Sequence, residues 1–282
     1  MEKIGENFKI LSLASTAIYN EGALSVSYFL LNENNVTNLN LSHNAISDLG
    51  ACRLFQALNN NKKLEELNLE DNRIGVSSTQ SLIDLLSNNT TLAVIDLSKN
   101  YLSENYFSKW HFQEETTKIE TILKSRRLKL SEPKKGILIL IESFNQLTNL
   151  KELDLSFNQL GLQVSYFSYL TLSNLNVLNL ACNAIHDEAI YPIAKSLEKD
   201  LMLRSFNLEN NKLTDVSAIM LAKSLKNNKT LHHLSLKGNF ITSLGARAFG
   251  KLLSIESVIC NLDLSSNYIE KIDFMGYTAS SL

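Results

Sequence analysis

The sequence predicts an α/β solenoid in which short parallel strands form an inner sheet and mostly helical segments form the outer side. The first observation is an eleven-residue pattern, as in residues 231–241 (LHHLSLKGNFI), with apolar first, fourth, sixth and eleventh positions and asparagine at the ninth. The second is that the asparagine recurs in steps of 28, 28, 58, 25, 28, 28 and 28 residues, at Asn44, Asn72, Asn100, Asn158, Asn183, Asn211, Asn239 and Asn267. Self-similarity at a fixed period is the signature of stacked repeats, each of which buries its apolar face against its neighbours.

Each repeat is expected to begin with a strand of about three to five residues around its Leu-x-Leu core. Side chains alternate along a strand, so these leucines point into the core and the residues between them point to solvent. The asparagine lies where the chain leaves the strand. Its amide can pair with backbone groups of adjacent repeats that would otherwise be buried without partners. The eight asparagines therefore predict a hydrogen-bonded ladder along the solenoid.

A helix is expected to follow each strand on the outer side. In the repeat of Asn44, apolar residues stand 5, 7, 10, 11 and 14 residues after the asparagine, and we assign them to one helical face. Asp48 and Asp215 lie just before two such helices and suit capping of the helix N-terminus. The residues at the first of these spacings are predicted to face the core, namely Leu49, Val216 and Leu244.

The repeated motif resembles the leucine-rich repeats of the ribonuclease-inhibitor type, whose period is in the high twenties and whose outer side is helical. The resemblance covers almost the whole chain and rests on eight asparagine-marked copies of the motif. It implies a horseshoe of about ten repeats of ~28 residues, with parallel inner strands and a mostly helical outer face.

Residues 1–282 are expected to form a single solenoid. Residues 1–35 are interpreted as a first repeat, in which Thr16 takes the asparagine position. Residues 270–282 are interpreted as the C-terminal end. A polar variant at the first position suits an end repeat, because one side of that repeat faces water.

The step of 58 residues before Asn158 is about twice a repeat. We therefore expect an irregular insertion and a degenerate repeat in residues 103–149. Leu128 and Leu130 would belong to an additional inner strand, and Pro133 would stand in the asparagine position. Proline lacks both a backbone donor and a side-chain amide, so the ladder should be interrupted there.

Composition argues against binding to nucleic acid. Hydrophobic residues make up 44 %, which is enough for a continuous core. The formal net charge is −2, so the chain has no overall attraction to nucleic acid or to an anionic membrane. Its three cysteines are far apart and lack metal-ligand spacing, which predicts neither a disulfide framework nor a zinc site. No segment predicts a signal peptide or a membrane span. We expect a cytoplasmic monomer without cofactor or metal.

No catalytic motif is found in the sequence. The five histidines lack the spacing of a metal site, and no glycine-rich loop predicts a phosphate site. We therefore expect neither catalytic residues nor a small-molecule substrate, and assign function to the concave inner face of the sheet.

The candidate partner-binding residues are those that depart from the common repeat pattern on or beside this face. They are expected to form an acidic patch, a basic patch two repeats further on and a histidine–lysine cluster, with aromatic residues beside the asparagines as anchors. Ordinary solvated charge is the alternative for each charged residue. The candidates are Glu66, Glu70, Asp71, Tyr101, Arg126, Arg127, Lys129, Phe157, His233, Lys237 and Phe240.

The first hypothesis is a non-enzymatic protein-binding module. Similar repeats occur in ribonuclease inhibitor, in the sensor ends of innate immune receptors and in effectors that intracellular bacteria inject into host cells. A chain that is almost only repeats and rich in asparagine and lysine most resembles the last group. That resemblance implies secretion into the host cytosol without a cleaved signal peptide.

The alternative hypothesis is a GTPase-activating or other regulatory protein, because one GTPase-activating family shares this repeat. Arg73, Arg126 or Arg127 would then have to assist catalysis. The acidic C-terminal tract typical of that family is absent from this sequence.

Overall fold

The structure is a computed structural model that describes residues 8–32, 35–102, 150–161, 175–199, 202–254 and 257–270. In these residues nine parallel strands form one open sheet in chain order, and six helices alternate with them, which confirms the predicted α/β solenoid. The strands are β1 (Ile10–Ser12), β2 (Asn38–Asn40), β3 (Glu66–Asn68), β4 (Val94–Asp96), β5 (Glu152–Asp154), β6 (Val177–Asn179), β7 (Ser205–Asn207), β8 (His233–Ser235) and β9 (Asn261–Asp263). The helices are α1 (Tyr19–Leu31), α2 (Asp48–Asn59), α3 (Thr79–Asn88), α4 (Asp187–Leu197), α5 (Asp215–Leu225) and α6 (Ser243–Leu253).

One continuous apolar core lies between the sheet and the helices. The middle residue of every strand from β2 to β8 is buried, as is the leucine two positions later. Leu54, Phe55 and Leu58 of α2 close the core from the helical side and are fully buried. Truncation of such a leucine to alanine typically costs about 2–5 kcal/mol, so the core carries most of the stability.

The asparagines lie in a row behind the sheet and bridge adjacent repeats. Asn72 is buried, and its Nδ2 donates to the carbonyl oxygens of Leu41 in the preceding repeat and Leu69 in its own, both at 3.0 Å. Its Oδ1 accepts from the backbone N–H groups of Asn44 at 3.2 Å and Ile46 at 2.9 Å. Comparable bonds recur at Asn44, Asn100, Asn158, Asn183, Asn211, Asn239 and Asn267.

Thr16 stands in the equivalent position of the first repeat. Its backbone N–H donates to Asn44 Oδ1 at 3.1 Å, and its hydroxyl donates to the carbonyl of Leu13 at 2.6 Å. Threonine therefore closes its own turn, although it lacks an amide that could reach a further repeat.

The sheet is continuous across the irregular interval. β4 pairs directly with β5, with Val94 opposite Glu152, and Asn158 Nδ2 donates to the carbonyl of Leu97 at 3.0 Å. The expected interruption of the ladder between Asn100 and Asn158 is therefore wrong, whereas the assignment of Leu128 and Leu130 to a strand and of Pro133 to the asparagine position stays a prediction. Backbone pairing joins the flanking repeats directly. Residues 103–149 themselves lie outside the described residues.

The residue five positions after the asparagine points outward rather than into the core. Leu49, Val216 and Leu244 are 66 %, 54 % and 57 % exposed. In a helix each residue turns the side chain by about 100°, so Leu49 lies about 180° from buried Leu58, nine residues later. The predicted burial of these three residues is therefore wrong.

A second ladder joins the helix N-termini. Asp215 Oδ1 accepts from the backbone N–H groups of Thr242 at 2.8 Å and Gly245 at 2.9 Å, which belong to the next helix. Asp48 and Asp187 make comparable bonds to the following repeats. The expectation that Asp48 and Asp215 cap their own helices is therefore wrong, because each caps the N-terminus of its neighbour.

A third ladder holds the polar returns after the helices. Asn89 Nδ2 donates to the carbonyls of Leu58 at 2.8 Å and Asn61 at 2.9 Å in the preceding repeat, and its Oδ1 accepts from Leu92 N–H at 2.8 Å. Asn61 and Asn228 are buried in the same way. In the repeats of Asn44 and Asn211, side-chain hydrogen bonds therefore link neighbouring repeats at three points of the turn.

Candidate interaction surface on the inner face of the sheet

The inner face is built from the residues that alternate with the buried strand centres. Parallel pairing in a constant register places these residues in columns that run across the sheet. The first column, from β2 to β9, contains Asn38, Glu66, Val94, Glu152, Val177, Ser205, His233 and Asn261. The second contains Asn40, Asn68, Asp96, Asp154, Asn179, Asn207, Ser235 and Asp263.

The side chains of the second column also form hydrogen bonds to the backbone of the turn that follows each strand. In all its members except Ser235, the side-chain Oδ1 accepts from the backbone N–H two residues later, at 2.8–3.0 Å. For Asp263, this bond with the Ser265 N–H and hydroxyl lowers the pKa of the carboxyl below its ordinary value. Aspartate and asparagine in this column are therefore first of all turn residues. The second oxygen of Asp154 also accepts from Asn179 Nδ2 at 2.7 Å.

Carboxylates are concentrated on three adjacent strands, β3, β4 and β5. Glu66 and Glu152 are exposed in the first column, and Asp96 and Asp154 are half-buried in the second. Burial raises the pKa of the Asp96 carboxyl, and the charges of Asp154 and Glu70 add to this effect. We call Glu66, Asp96, Glu152 and Asp154 the acidic wall. It exists because β4 and β5 are neighbours in the sheet.

Two carboxylates of the predicted acidic patch are already paired. Glu70 Oε1 lies 2.5 Å from Lys99 Nζ, which raises the pKa of this lysine above its ordinary value through the hydrogen bond. Asp71 Oδ2 lies 2.6 Å from His43 Nδ1. Lys99 Nζ also lies 5.9 Å from the ring centre of Phe157, within the range of a cation–π contact. These side chains rim the acidic wall and neutralise part of the predicted patch.

The remaining candidates lie further along the sheet. His233 is exposed on β8, and Lys237 Nζ lies 3.3 Å from Glu209 Oε1. Phe240 stacks on Tyr268 of the next repeat, with 5.9 Å between the ring centres, and both rings are largely exposed. Tyr101, by contrast, is half-buried and joins the loop of the preceding repeat by a bridge to Gly75.

The predicted basic patch is not part of the described inner face. Arg126, Arg127 and Lys129 lie in residues 103–149, outside the described residues. In the sheet, the second strand after the one that carries Glu66 is β5, which carries Glu152 and Asp154. The strands β3–β5 carry carboxylates consecutively, and the predicted basic patch stays a prediction.

Sequence reasoning also overlooked Lys99 as a site residue. Lys99 follows Asp71 by 28 residues and so stands in the same column of the next repeat, beside Glu70. The repeat period would have indicated this pairing, because equivalent positions of consecutive repeats are neighbours in space.

In the part of the chain that the structure describes, no group of three or more histidine, cysteine or acidic residues is placed to hold a metal ion. Cys52, Cys182 and Cys260 are free thiols, and burial raises the pKa of Cys52 and Cys182. A raised pKa leaves less of the reactive thiolate at neutral pH, which does not favour a nucleophilic role.

Comparison with protein families agrees with this architecture. Six segments match the family model described as Leucine Rich repeat, at residues 33–52, 60–78, 146–162, 171–194, 199–222 and 227–250. The chain is a leucine-rich repeat protein. A search of curated proteins gives no match to the chain. Among the described helices, none has the length and apolar character needed to cross a bilayer.

Proposed function

We propose that the protein binds another protein through the inner face of its sheet and has no catalytic activity. Leucine-rich repeats are in general protein-interaction modules, and the acidic wall is the observation that carries the proposal for this chain. Four carboxylates on three adjacent strands exceed what the turn structure needs, because within the described residues neither Glu66 nor Glu152 accepts a backbone bond that holds a turn. Glu66 accepts only from the side-chain amide of Asn38 there. Their cost in mutual repulsion is offset when a partner covers them with opposite charge.

The partner segment that fits the acidic wall is cationic. Neighbouring strands lie about 4.8 Å apart, so Glu66 and Glu152, two strands apart, are separated by roughly 10 Å. Lysine or arginine side chains three residues apart in a polyproline II segment lie on one side of the segment, roughly 9 Å apart, and match this distance. Val94, between the two glutamates, would lie against an apolar part of the same segment.

Aromatic side chains at the rim supply anchors for such a segment. Phe157 is 50 % exposed next to β5, and Phe240 and Tyr268 form an exposed stacked pair in the turns after β8 and β9. Large exposed aromatic residues are favoured at binding hot spots. We therefore place the strongest contacts at Phe157, beside the acidic wall.

Affinity capture with a charge-reversed variant tests this proposal. We expect the wild-type protein to retain a specific partner from a cytosolic lysate and Glu66→Lys/Glu152→Lys to lose it, with an unchanged unfolding temperature. Asp84→Lys/Glu198→Lys makes the same change of charge at two exposed residues of the helical side and should retain the partner. Equal capture by both variants would show that the acidic wall is not the binding surface.

We further propose that the repeats are of the ribonuclease-inhibitor type and that the protein is an effector acting in a host cytosol. The 28-residue register of most strand pairs and the helical outer side support the first statement. Resemblance of composition and repeat content supports the second. A reporter fusion that becomes active only in host cytosol tests delivery, and absence of signal from a secreting strain with a working control fusion would contradict it.

A further inference from the structure

The last three helices, α4, α5 and α6, turn the same stripe of residues away from the core. The stripe consists of residues five, eight and twelve positions after the asparagine of each repeat, a spacing of three and then four residues that follows one side of a helix. All nine side chains are exposed. They are Glu188, Tyr191 and Lys195 on α4, Val216, Ile219 and Lys223 on α5, and Leu244, Arg247 and Lys251 on α6. We call these nine residues the outer panel.

The outer panel combines exposed apolar side chains with positive charge. Tyr191, Val216, Ile219 and Leu244 are each between 42 % and 62 % exposed. The panel has four cations and one carboxylate, which makes +3, whereas the whole chain has a net charge of −2. The apolar residues occupy the N-terminal half of the helices, and Lys195, Lys223 and Lys251 form a column in their last turns.

The equivalent stripes of the earlier helices differ. On α2 the three positions are Leu49, Cys52 and Gln56, and in the α3 repeat they are Ser77, Gln80 and Asp84, so that neither stripe contains a cation. A lysine in the last turn of a helix stabilises the helix dipole, which would account for the lysine column alone. It does not account for the exposed apolar residues one to two turns earlier in the same stripe. Contiguous exposed apolar side chains mark interaction surfaces.

We propose that the outer panel docks the protein onto an anionic lipid bilayer. The residues between Leu244 and Lys251 span seven helical steps, about 10 Å, which matches the depth of roughly 5–10 Å to which apolar side chains enter a bilayer interface. With the helix N-termini tilted toward the bilayer, the apolar half reaches the acyl boundary. The lysine column then lies level with the phosphate headgroups, and Tyr191 lies at the interface, which suits its amphipathic ring.

A bilayer fits the panel better than an acidic protein segment does. Side chains project from three parallel helices over a width of roughly 20 Å, twice the usual spacing of packed helices. A fluid surface accepts such separate projections, whereas strong protein contacts form around anchors seated in pockets. None of the three column lysines has an ion pair within the described residues, so their charges are available to headgroups. The acidic wall, on the opposite side of the solenoid, would face away from the bilayer.

Co-sedimentation of the full chain with vesicles tests the proposal. The probe is a phosphatidylcholine vesicle in which roughly 30 % of the lipid is phosphatidylserine, so that its surface is strongly anionic. A vesicle of pure phosphatidylcholine is the comparison. We expect binding to the anionic vesicles only, and weaker binding as salt is raised. Lys195→Gln/Lys223→Gln/Lys251→Gln should reduce the partition coefficient about 100-fold, since each lysine near such a surface contributes about a factor of five.

Three further variants make the result specific. Val216→Ser/Leu244→Ser should weaken binding about 10-fold by removing apolar insertion. Glu188→Gln should strengthen it, because this carboxylate lies in the half that approaches the lipid. The control Arg53→Gln/Lys62→Gln/Lys63→Gln removes the same charge from exposed positions outside the panel and should bind like the wild type.

Absence of sedimentation with the anionic vesicles at low salt would overturn the proposal, as would equal losses in the two triple variants. Capture of an acidic amphipathic peptide through the panel, without vesicle binding, would assign it to a protein partner instead. Glu66→Lys/Glu152→Lys should keep wild-type vesicle binding, so failure of the panel and failure of the inner-face proposal are separate observations.

Discussion

The asparagine ladder can be tested at a single buried residue, Asn72. This side chain donates to the carbonyl oxygens of Leu41, Leu69 and Glu70 and accepts from the N–H groups of Asn44 and Ile46. Asn72→Ala removes all five bonds at once. Because the residue is only 3 % exposed, water has no access to most of the backbone groups that lose their partner.

The expected loss follows from the two donors. A buried donor without a partner costs about 1–3 kcal/mol, so the N–H groups of Asn44 and Ile46 alone account for about 4 kcal/mol. The carbonyls cost less, because a carbonyl has a second lone pair and tolerates the loss better. A domain is stable by about 5–15 kcal/mol, so Asn72→Ala should leave a protein that is folded but markedly destabilised.

Asn267→Ala is the matched control at the other end of the ladder. Asn267 makes the same donations and accepts from Ile241 N–H at 3.0 Å, but it is only half-buried. Water can replace its bonds, so we expect a loss of about 1 kcal/mol. Urea unfolding followed by circular dichroism measures both losses. Equal losses, or a loss below about 1 kcal/mol for Asn72→Ala, would refute the view that desolvated backbone groups make the ladder essential.

The remaining predictions concern the second ladder and two glycines. Burial alone would raise the pKa of Asp187, but hydrogen bonds from Ser217 and Thr214 outweigh it and lower the pKa. A lowered folded pKa gives stability that is present above the unfolded value near 4 and is lost as pH falls through the folded pKa. The urea midpoint of Asp187→Asn should therefore fall less on acidification than the midpoint of the wild type. Glu188→Gln, at an exposed position, is the control and should follow the wild type. A curve of midpoint against pH for Asp187→Asn that runs parallel to the wild-type curve would contradict this. Gly161→Ala should cost about 3 kcal/mol, because its Cβ would lie 2.2 Å from the Ala184 carbonyl oxygen, a backbone atom. Gly238→Ala should cost about 1–2 kcal/mol, because its φ of +66° lies in the left-handed region, whereas its Cβ would meet chiefly the end of an exposed asparagine side chain, which can move. The reverse order by thermal unfolding would disprove the steric argument.

The repeat pattern predicts the fold because it depends on short spacings within a repeat and on a constant distance between repeats. The spacing from Leu231 to Asn239 places strand, turn and asparagine in one unit, and a constant period of 28 residues places equivalent units side by side. The exposed positions of the inner face follow from strand alternation in the same way. Glu66, His233 and Phe240 could therefore be placed on or beside that face without a structure.

Contacts between repeats could be predicted only where the period holds. Residues 103–149 interrupt the period, and the step of 58 residues, about twice a repeat, favoured an additional strand with a basic patch between Asp96 and Asp154. Only the pairing of β4 with β5 shows that these two carboxylates are neighbours and that the acidic wall is continuous. Chain length between two strands does not determine whether they pair, because a loop of almost any length can be closed at a small additional cost in entropy.

The orientation of side chains around the helices was likewise decided by tertiary structure. An apolar residue at a fixed distance from the asparagine looks like core in the sequence, yet Val216 and Leu244 face solvent because they lie on the side of the helix that is turned away from the core. Asp215 resembles a local cap, yet its carboxylate reaches the next helix and accepts from the N–H groups of Thr242 and Gly245. The sequence by itself determined which segments become strands, turns and helices, since these depend on short-range spacing. The tertiary structure decided which side chains meet, since that depends on how neighbouring turns of the solenoid stack.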